Sequence, residues 1–172
     1  MKAAHLILSA IAAAAFIVVA KPGPTFAASN SANLNVSAAV QANCTISTTA
    51  LAFGNYDPIG TNDSGGSDLD GTGIVTITCT KGSGLDITLG LGNNAVGSQR
   101  KLIGGTSGDL LNYEIYQNAG RTTVWGTGAN KQTITAAPSK AARAFTAYGR
   151  IVKGQDASAD SYSDIVVATV NF

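Results

Sequence analysis

Residues 32–47 read ANLNVSAAVQANCTIS. Side chains of an extended chain alternate between two faces. Leu34, Val36, Ala38, Val40 and Ala42 therefore share one face, and Asn33, Asn35, Ser37, Gln41 and Asn43 the other, with Ala39 the apolar exception. The alternation runs on into Cys44 and Ile46, about twice the usual 5–6 residues of a strand. Two readings fit this ridge. It is the first strand of its own sheet, or it is a strand offered to another molecule.

The ridge follows a leader. Residues 1–27 carry Lys2 and His5, then an uncharged apolar run from Leu6 to Ala20, then Pro22 and Pro24, with Thr25 and Ala27 at the −3 and −1 positions of a small-residue cleavage site. This is the layout of a secretory signal peptide, cleaved after Ala27 or Ala28. The run is short for a membrane anchor, which needs ~20 apolar residues. The expected organisation is a signal peptide at 1–27, an N-terminal arm at 28–43 and one domain at 44–172.

Removing Lys2 and Lys21 with the leader leaves nine basic residues against ten acids. No basic patch stands out, so nucleic acid and anionic membrane are not expected partners. The two cysteines, Cys44 and Cys79, both follow the leader. In an exported chain one pair reads as one disulfide, although two free thiols would satisfy the same count.

From the arm onward, short alternating runs are separated by turn clusters. GIVTITCT (73–80) sets Val75, Ile77 and Cys79 against Ile74, Thr76 and Thr78. LDITLGL (85–91), LLNYEIY (110–116), TTVW (122–125), QTIT (132–135), AFTAYGRI (144–151) and DIVVATVNF (164–172) continue the series. β-Branched and aromatic residues fill them. Gly, Asn, Asp and Ser fill the intervening clusters, such as TNDSGGSDLDGTG (61–73). No window shows a helical period, and the expected fold is an all-β sandwich.

Tools for catalysis are scarce. His5 is the only histidine and lies in the leader, which removes Ser–His–Asp and Cys–His chemistry and histidine-ligated metals. Glu114 is the single glutamate, placed on the polar face of a strand. Asp63, Asp68 and Asp70 sit in a Gly/Ser-rich turn and read as solvated loop acids. SDLDGTG lacks both the spacing and the distal glutamate of a calcium loop. No GK[ST] phosphate loop occurs. Trp125 is expected in or beside the core. Neither an enzyme, a metal, a cofactor nor a small-molecule substrate is indicated.

At the other end, SDIVVATVNF alternates Val166, Ala168, Val170 and Phe172 against Ile165 and Val167. A closing apolar strand without a successor leaves a sheet edge to be covered. A donated strand would satisfy both ends.

The blocks NVSAAVQANCTIS, LAFGNYDP, GIVTITCT, LNYEIYQNAGRTTVWG (111–126) and AYGRIVKGQDASADSYSDIVVATVNF (147–172) together resemble the spore coat protein U domain, the family of subunits of archaic, Csu-type chaperone–usher pili. The length is similar to the major shaft subunit. The resemblance implies an incomplete immunoglobulin-like sandwich finished by a neighbour's arm. It implies as partners other copies of the chain, a periplasmic chaperone, an outer-membrane usher and other pilus subunits including a tip adhesin. It also implies export to the periplasm and then the cell surface, in fibres serving adhesion and biofilm formation. Carried onto this chain, the donor face is Leu34, Val36, Ala38 and Val40, extended to Ala42. The acceptor groove is lined by Ile165, Val166, Val167, Ala168, Val170 and Phe172, and Cys44 and Cys79 match the family's disulfide. The alternatives are a coat or matrix protein assembled without an usher, and a secreted hydrolase or lectin.

Overall fold

The computed structural model describes residues 19–172; most of the expected leader lies outside them. The chain divides after Ala38. Residues 19–43 form no strand and are exposed. Of the two readings of the ridge, a first strand of the chain's own sheet is not formed over 32–43: alternation alone does not hold an extended backbone, whose polar groups need a ladder partner.

Among the described residues the second unit contains β1 (Cys44–Ala52), β2 (Leu69–Cys79), β3 (Asp86–Leu89), β4 (Arg100–Gly104), β5 (Leu110–Tyr116), β6 (Gln132–Thr133), β7 (Arg143–Ile151), β8 (Tyr162–Ser163) and β9 (Ala168–Asn171), with one 3-10 turn at Gly128–Asn130. One sheet runs β1-β2-β7-β5-β4-β8 and the other β6-β3-β9. Every pairing is antiparallel. No helix among these residues is long and apolar enough to cross a membrane.

Alternation puts Val75 and Ile77 of β2, Leu111, Tyr113 and Ile115 of β5, and Ala147 and Ile151 of β7 inward from the large sheet. Ile87 and Leu89 of β3 meet them from the small one. Trp125 is wholly buried and donates its indole N–H to the Ile87 carbonyl at 2.9 Å, satisfying the one polar atom that burial would otherwise penalise. Gly149 of β7 leaves room for Leu51 and Phe53, whose side-chain carbons lie 2.6–2.8 Å from where a Cβ would stand.

Several element expectations need correction. TTVW (122–125) makes only an isolated bridge, Tyr116 to Val124. The turn cluster 61–73 ends inside β2, because Leu69–Thr72 pair with Tyr148–Ile151. RKLIG (100–104) and Tyr162–Ser163 are strands that alternation did not mark. RKLIG turns an arginine inward, reversing the polarity rule on which the reading rests.

Candidate functional site

The large sheet ends at β1 and the small sheet at β9, so each presents an edge without a strand partner among the described residues. These two edges flank an apolar groove of about 320 Å³. Thr48–Leu51 form one lip and Asp164–Val166 with Ala168 the other. Val75, Leu89, Leu102, Tyr113, Ile115 and Ala147 form the floor. An apolar cavity of about 150 Å³ already accepts a benzene molecule, so the groove has room for several side chains.

The β9 lip is prepared for pairing. Gly90 N–H donates to the Val167 carbonyl at 2.9 Å and Leu85 N–H to the Asn171 carbonyl at 2.8 Å. Residues of an antiparallel ladder alternate in the edge they bond, so backbone groups of Val166, Ala168 and Val170 face the open edge. Their side chains pack toward the core. Val167 points outward, 64% exposed, and Phe172 is half-exposed. Ile165 is exposed yet lines the groove. Of the arm residues, Leu34, Val36 and Val40 are each 86% exposed, and Ala38 and Ala42 are exposed too.

Polar groups hold the lips in place. Asp164 Oδ1 accepts the backbone N–H groups of Asn93 at 2.9 Å, Asn94 at 3.2 Å and Ile165 at 2.8 Å, and the Asn94 side-chain amide at 3.0 Å. Its Oδ2 accepts the Tyr113 hydroxyl at 2.7 Å. Burial, and then donation to Asp164, push the Tyr113 phenol far above its ordinary value of 10.0. Gly92, at φ 91°, leaves the space Asp164 occupies.

Behind the floor, Arg100 is completely buried. Its Nε and Nη2 donate to the Gly90 carbonyl at 3.0 and 2.7 Å, and Nη2 also reaches the Leu89 and Trp125 carbonyls at 3.3 and 2.8 Å. Nη1 pairs with Glu114. Glu114 is therefore the counter-ion of a core arginine and not a solvated strand acid.

Two of the loop acids are also paired. Asp70 takes Arg150 through two bonds, at 2.8 and 3.0 Å, and meets Arg121 at 3.1 Å. The Arg150 bond is the main reason its carboxyl lies below the ordinary 3.8. Asp68 meets Arg150 at 3.4 Å and accepts the Lys153 N–H. Asp63 stays local, accepting the Gly65 N–H at 2.9 Å. Cys44 and Cys79 are bonded to each other and sit directly opposite on β1 and β2.

Sequence reasoning did not single out Asp164, Tyr113, Arg100 or the Thr48–Leu51 lip. The blocks LNYEIY and YSD, which carried much of the resemblance, contain Tyr113, Glu114 and Asp164.

Residues 30–169 match the Spore Coat Protein U domain family. The chain is 35% identical over 185 aligned residues to "Protein U" of Myxococcus xanthus, with 100% of both chains covered. A solved structure of similar fold is the CsuC–CsuE chaperone–tip adhesion subunit pre-assembly complex from archaic chaperone-usher Csu pili of Acinetobacter baumannii. The TM-score is 0.56 at 20% identity over 77% of this chain, which spans 40% of the matched chain's length. The architecture is all-β, consistent with the immunoglobulin-like sandwich of chaperone–usher pilins.

Proposed function

This chain belongs to the Spore Coat Protein U domain family, and from that premise we propose that it is a structural subunit of a chaperone–usher pilus, polymerised by strand donation. The arm, residues 28–43, is the donor. Leu34, Val36, Ala38 and Val40 enter the groove between β1 and β9 of a neighbouring copy. The observation that carries this reading is the pairing of two opposites in one chain: a groove open to the core, and an exposed apolar ridge that alternates at strand period.

The physical chemistry supports it. Each Leu or Val moved from water into the groove contributes ~1.5–3 kcal/mol, and the backbone groups of β9 gain a ladder. Until a neighbour's arm arrives, a periplasmic chaperone covers the same edge, since an open apolar edge aggregates. The usher then exchanges chaperone for arm at the outer membrane, and the fibre on the cell surface serves adhesion and biofilm formation. Other subunits, a tip adhesin among them, join by the same groove. The role is that of a scaffold without catalysis. The family's description as a spore coat domain favours a second reading, a coat or matrix protein that uses the same arm and groove without an usher.

Val36→Asp places a carboxylate in the donor row. Electron microscopy of cells making this variant should show no fibres, while the secreted subunit retains its disulfide. Normal fibres from Val36→Asp would overturn the assignment of the arm.

A further inference from the structure

The Cys44–Cys79 rung has an unusual next neighbour. Thr80 N–H donates to the Asn43 carbonyl at 2.8 Å, so the β1–β2 ladder extends one residue toward the arm. In a regular ladder the Thr80 carbonyl would return a bond from the Asn43 N–H. That carbonyl is already taken: it accepts the Ser83 N–H at 3.0 Å and the Ser83 hydroxyl at 2.7 Å, within the turn that leaves β2. The Thr80 hydroxyl replaces it. Oγ1 accepts the Asn43 N–H at 3.2 Å and donates to the Gln41 carbonyl at 3.3 Å. One side chain thus completes the last rung and reaches two residues further along the chain.

We propose that Thr80 is a positioning residue that clamps the root of the arm, so that the donated segment ends at Val40 and Ala42 belongs to the subunit's own fold. The proposal rests on the strand-donation reading for its meaning, but the clamp itself lies within one subunit. Ala42 stands between the two clamped residues, Gln41 and Asn43. Its side chain shares the parity of the donor row, yet its backbone is held beside β2. The stretch between the last donated residue and the disulfide is then three residues, 41–43, bound to β2 by Thr80. Neighbouring subunits are joined through a short braced connection. Without the hydroxyl only the Thr80 N–H bond to the Asn43 carbonyl remains, and residues 41 and 42 become a slack tether, each adding up to ~3.3 Å of reach.

The test is amide hydrogen exchange, read by NMR on the full exported chain before polymerisation, with Thr80→Val and Thr80→Ser compared with the parent. The parent should protect the Asn43 amide. Thr80→Val keeps the shape and removes the hydroxyl, and should speed exchange at Asn43 by about fivefold to tenfold, the effect of one ordinary hydrogen bond. Thr80→Ser should restore protection. An Asn43 amide that exchanges freely in the parent, or at the same rate in Thr80→Val, overturns the clamp. Should Thr80→Val disturb the fold, Ser83→Ala gives a second reading: with the Thr80 carbonyl partly released, Asn43 must stay protected. Loss of Asn43 protection in Ser83→Ala with the β1 amides intact would also overturn it. In fibres, Ala42→Asp should assemble where Val36→Asp does not. Failure of both variants would overturn the boundary at Val40, even with Asn43 protected. Assembly of both would instead refute strand donation by this arm.

Discussion

Arg100→Met removes a guanidinium that the sandwich encloses completely. Methionine fills a similar volume, so the change is chiefly electrostatic. Three backbone carbonyls, of Leu89, Gly90 and Trp125, lose their donor, and Glu114 loses its cation. Breaking a buried ion pair by removing one partner costs about 3–5 kcal/mol. The Glu114 side chain is still 22% exposed and keeps a bond from the Ile115 N–H at 2.9 Å, so its carboxylate is partly compensated. The orphaned carbonyls add about 1–3 kcal/mol each where water cannot reach them. A loss of about 6 kcal/mol or more is therefore expected, comparable to the ~5–15 kcal/mol that holds a typical domain. Urea unfolding followed by Trp125 fluorescence measures it, since the only tryptophan is buried beside the same network. Arg100→Met combined with Glu114→Gln removes the uncompensated charge and should recover about 1–2 kcal/mol. A single-variant loss below about 1 kcal/mol, or a double variant less stable than Arg100→Met, would refute the claim that this pair supports the groove floor.

Acid should weaken the fold over a defined window. Backbone N–H groups of Ser107, then Thr106 and Ser161, hold the Asp160 carboxyl at about 2. Lys131 and then Asn171 hold Asp86 below its ordinary 3.8, and Arg150 does the same for Asp70. Each folded value is lower than the unfolded one. The stabilisation is present above about pH 4 and is lost as pH falls through the folded values toward about pH 2. Urea midpoints measured between about pH 7 and pH 2 should be level at first and then drop; a profile level throughout would contradict these pairings. Replacing Cys44 and Cys79 with alanine opens a cross-link between residues 35 apart in sequence, with an expected cost of about 3–4 kcal/mol in the chain-entropy account. Urea unfolding of the double variant checks it, and stability equal to the parent's would argue against the constraint.

The parts of the fold legible in the sequence are those where polarity and burial agree. Val75 and Ile77 alternate with threonines, and Leu111, Tyr113 and Ile115 alternate with polar neighbours; the buried faces follow that pattern. What stayed hidden breaks the rule for a structural reason. β4 opens with Arg100 facing inward, and only the chain folded around it reveals three carbonyls and a carboxylate as its partners. β8 is two residues long and pairs with β4 through Ile103 and Gly104, contacts local periodicity cannot register. Leu85 and Leu91 continue the alternation of β3, yet both are exposed, since they lie beyond its ends at Asp86 and Leu89. The groove was legible only in half. The β9 row could be read from SDIVVATVNF, but the opposite lip, Thr48–Leu51, comes from TTAL, which has no apolar alternation.

Mostly apolar residues line the groove, while polar contacts hold its lips. β1 is held to the large sheet by its ladder and by the disulfide at its first rung. The facing lip is held by Asp164, which joins the 92–94 turn to Tyr113 of the large sheet. Arg100 braces the end of β3 from behind. Each of these attaches a lip to a rigid element, and none requires anything in the groove. An apolar cleft without such supports relaxes partly into its own space, because neighbouring side chains gain contacts there. On the strand-donation proposal, affinity for a strand and readiness to receive one belong to different residues, and the two should separate by experiment. Val36→Asp is expected to leave a stable subunit that cannot be joined. Arg100→Met is expected to lose stability first, and assembly only as a consequence. If Arg100→Met abolished assembly at full stability, the division between lining and bracing residues would be wrong.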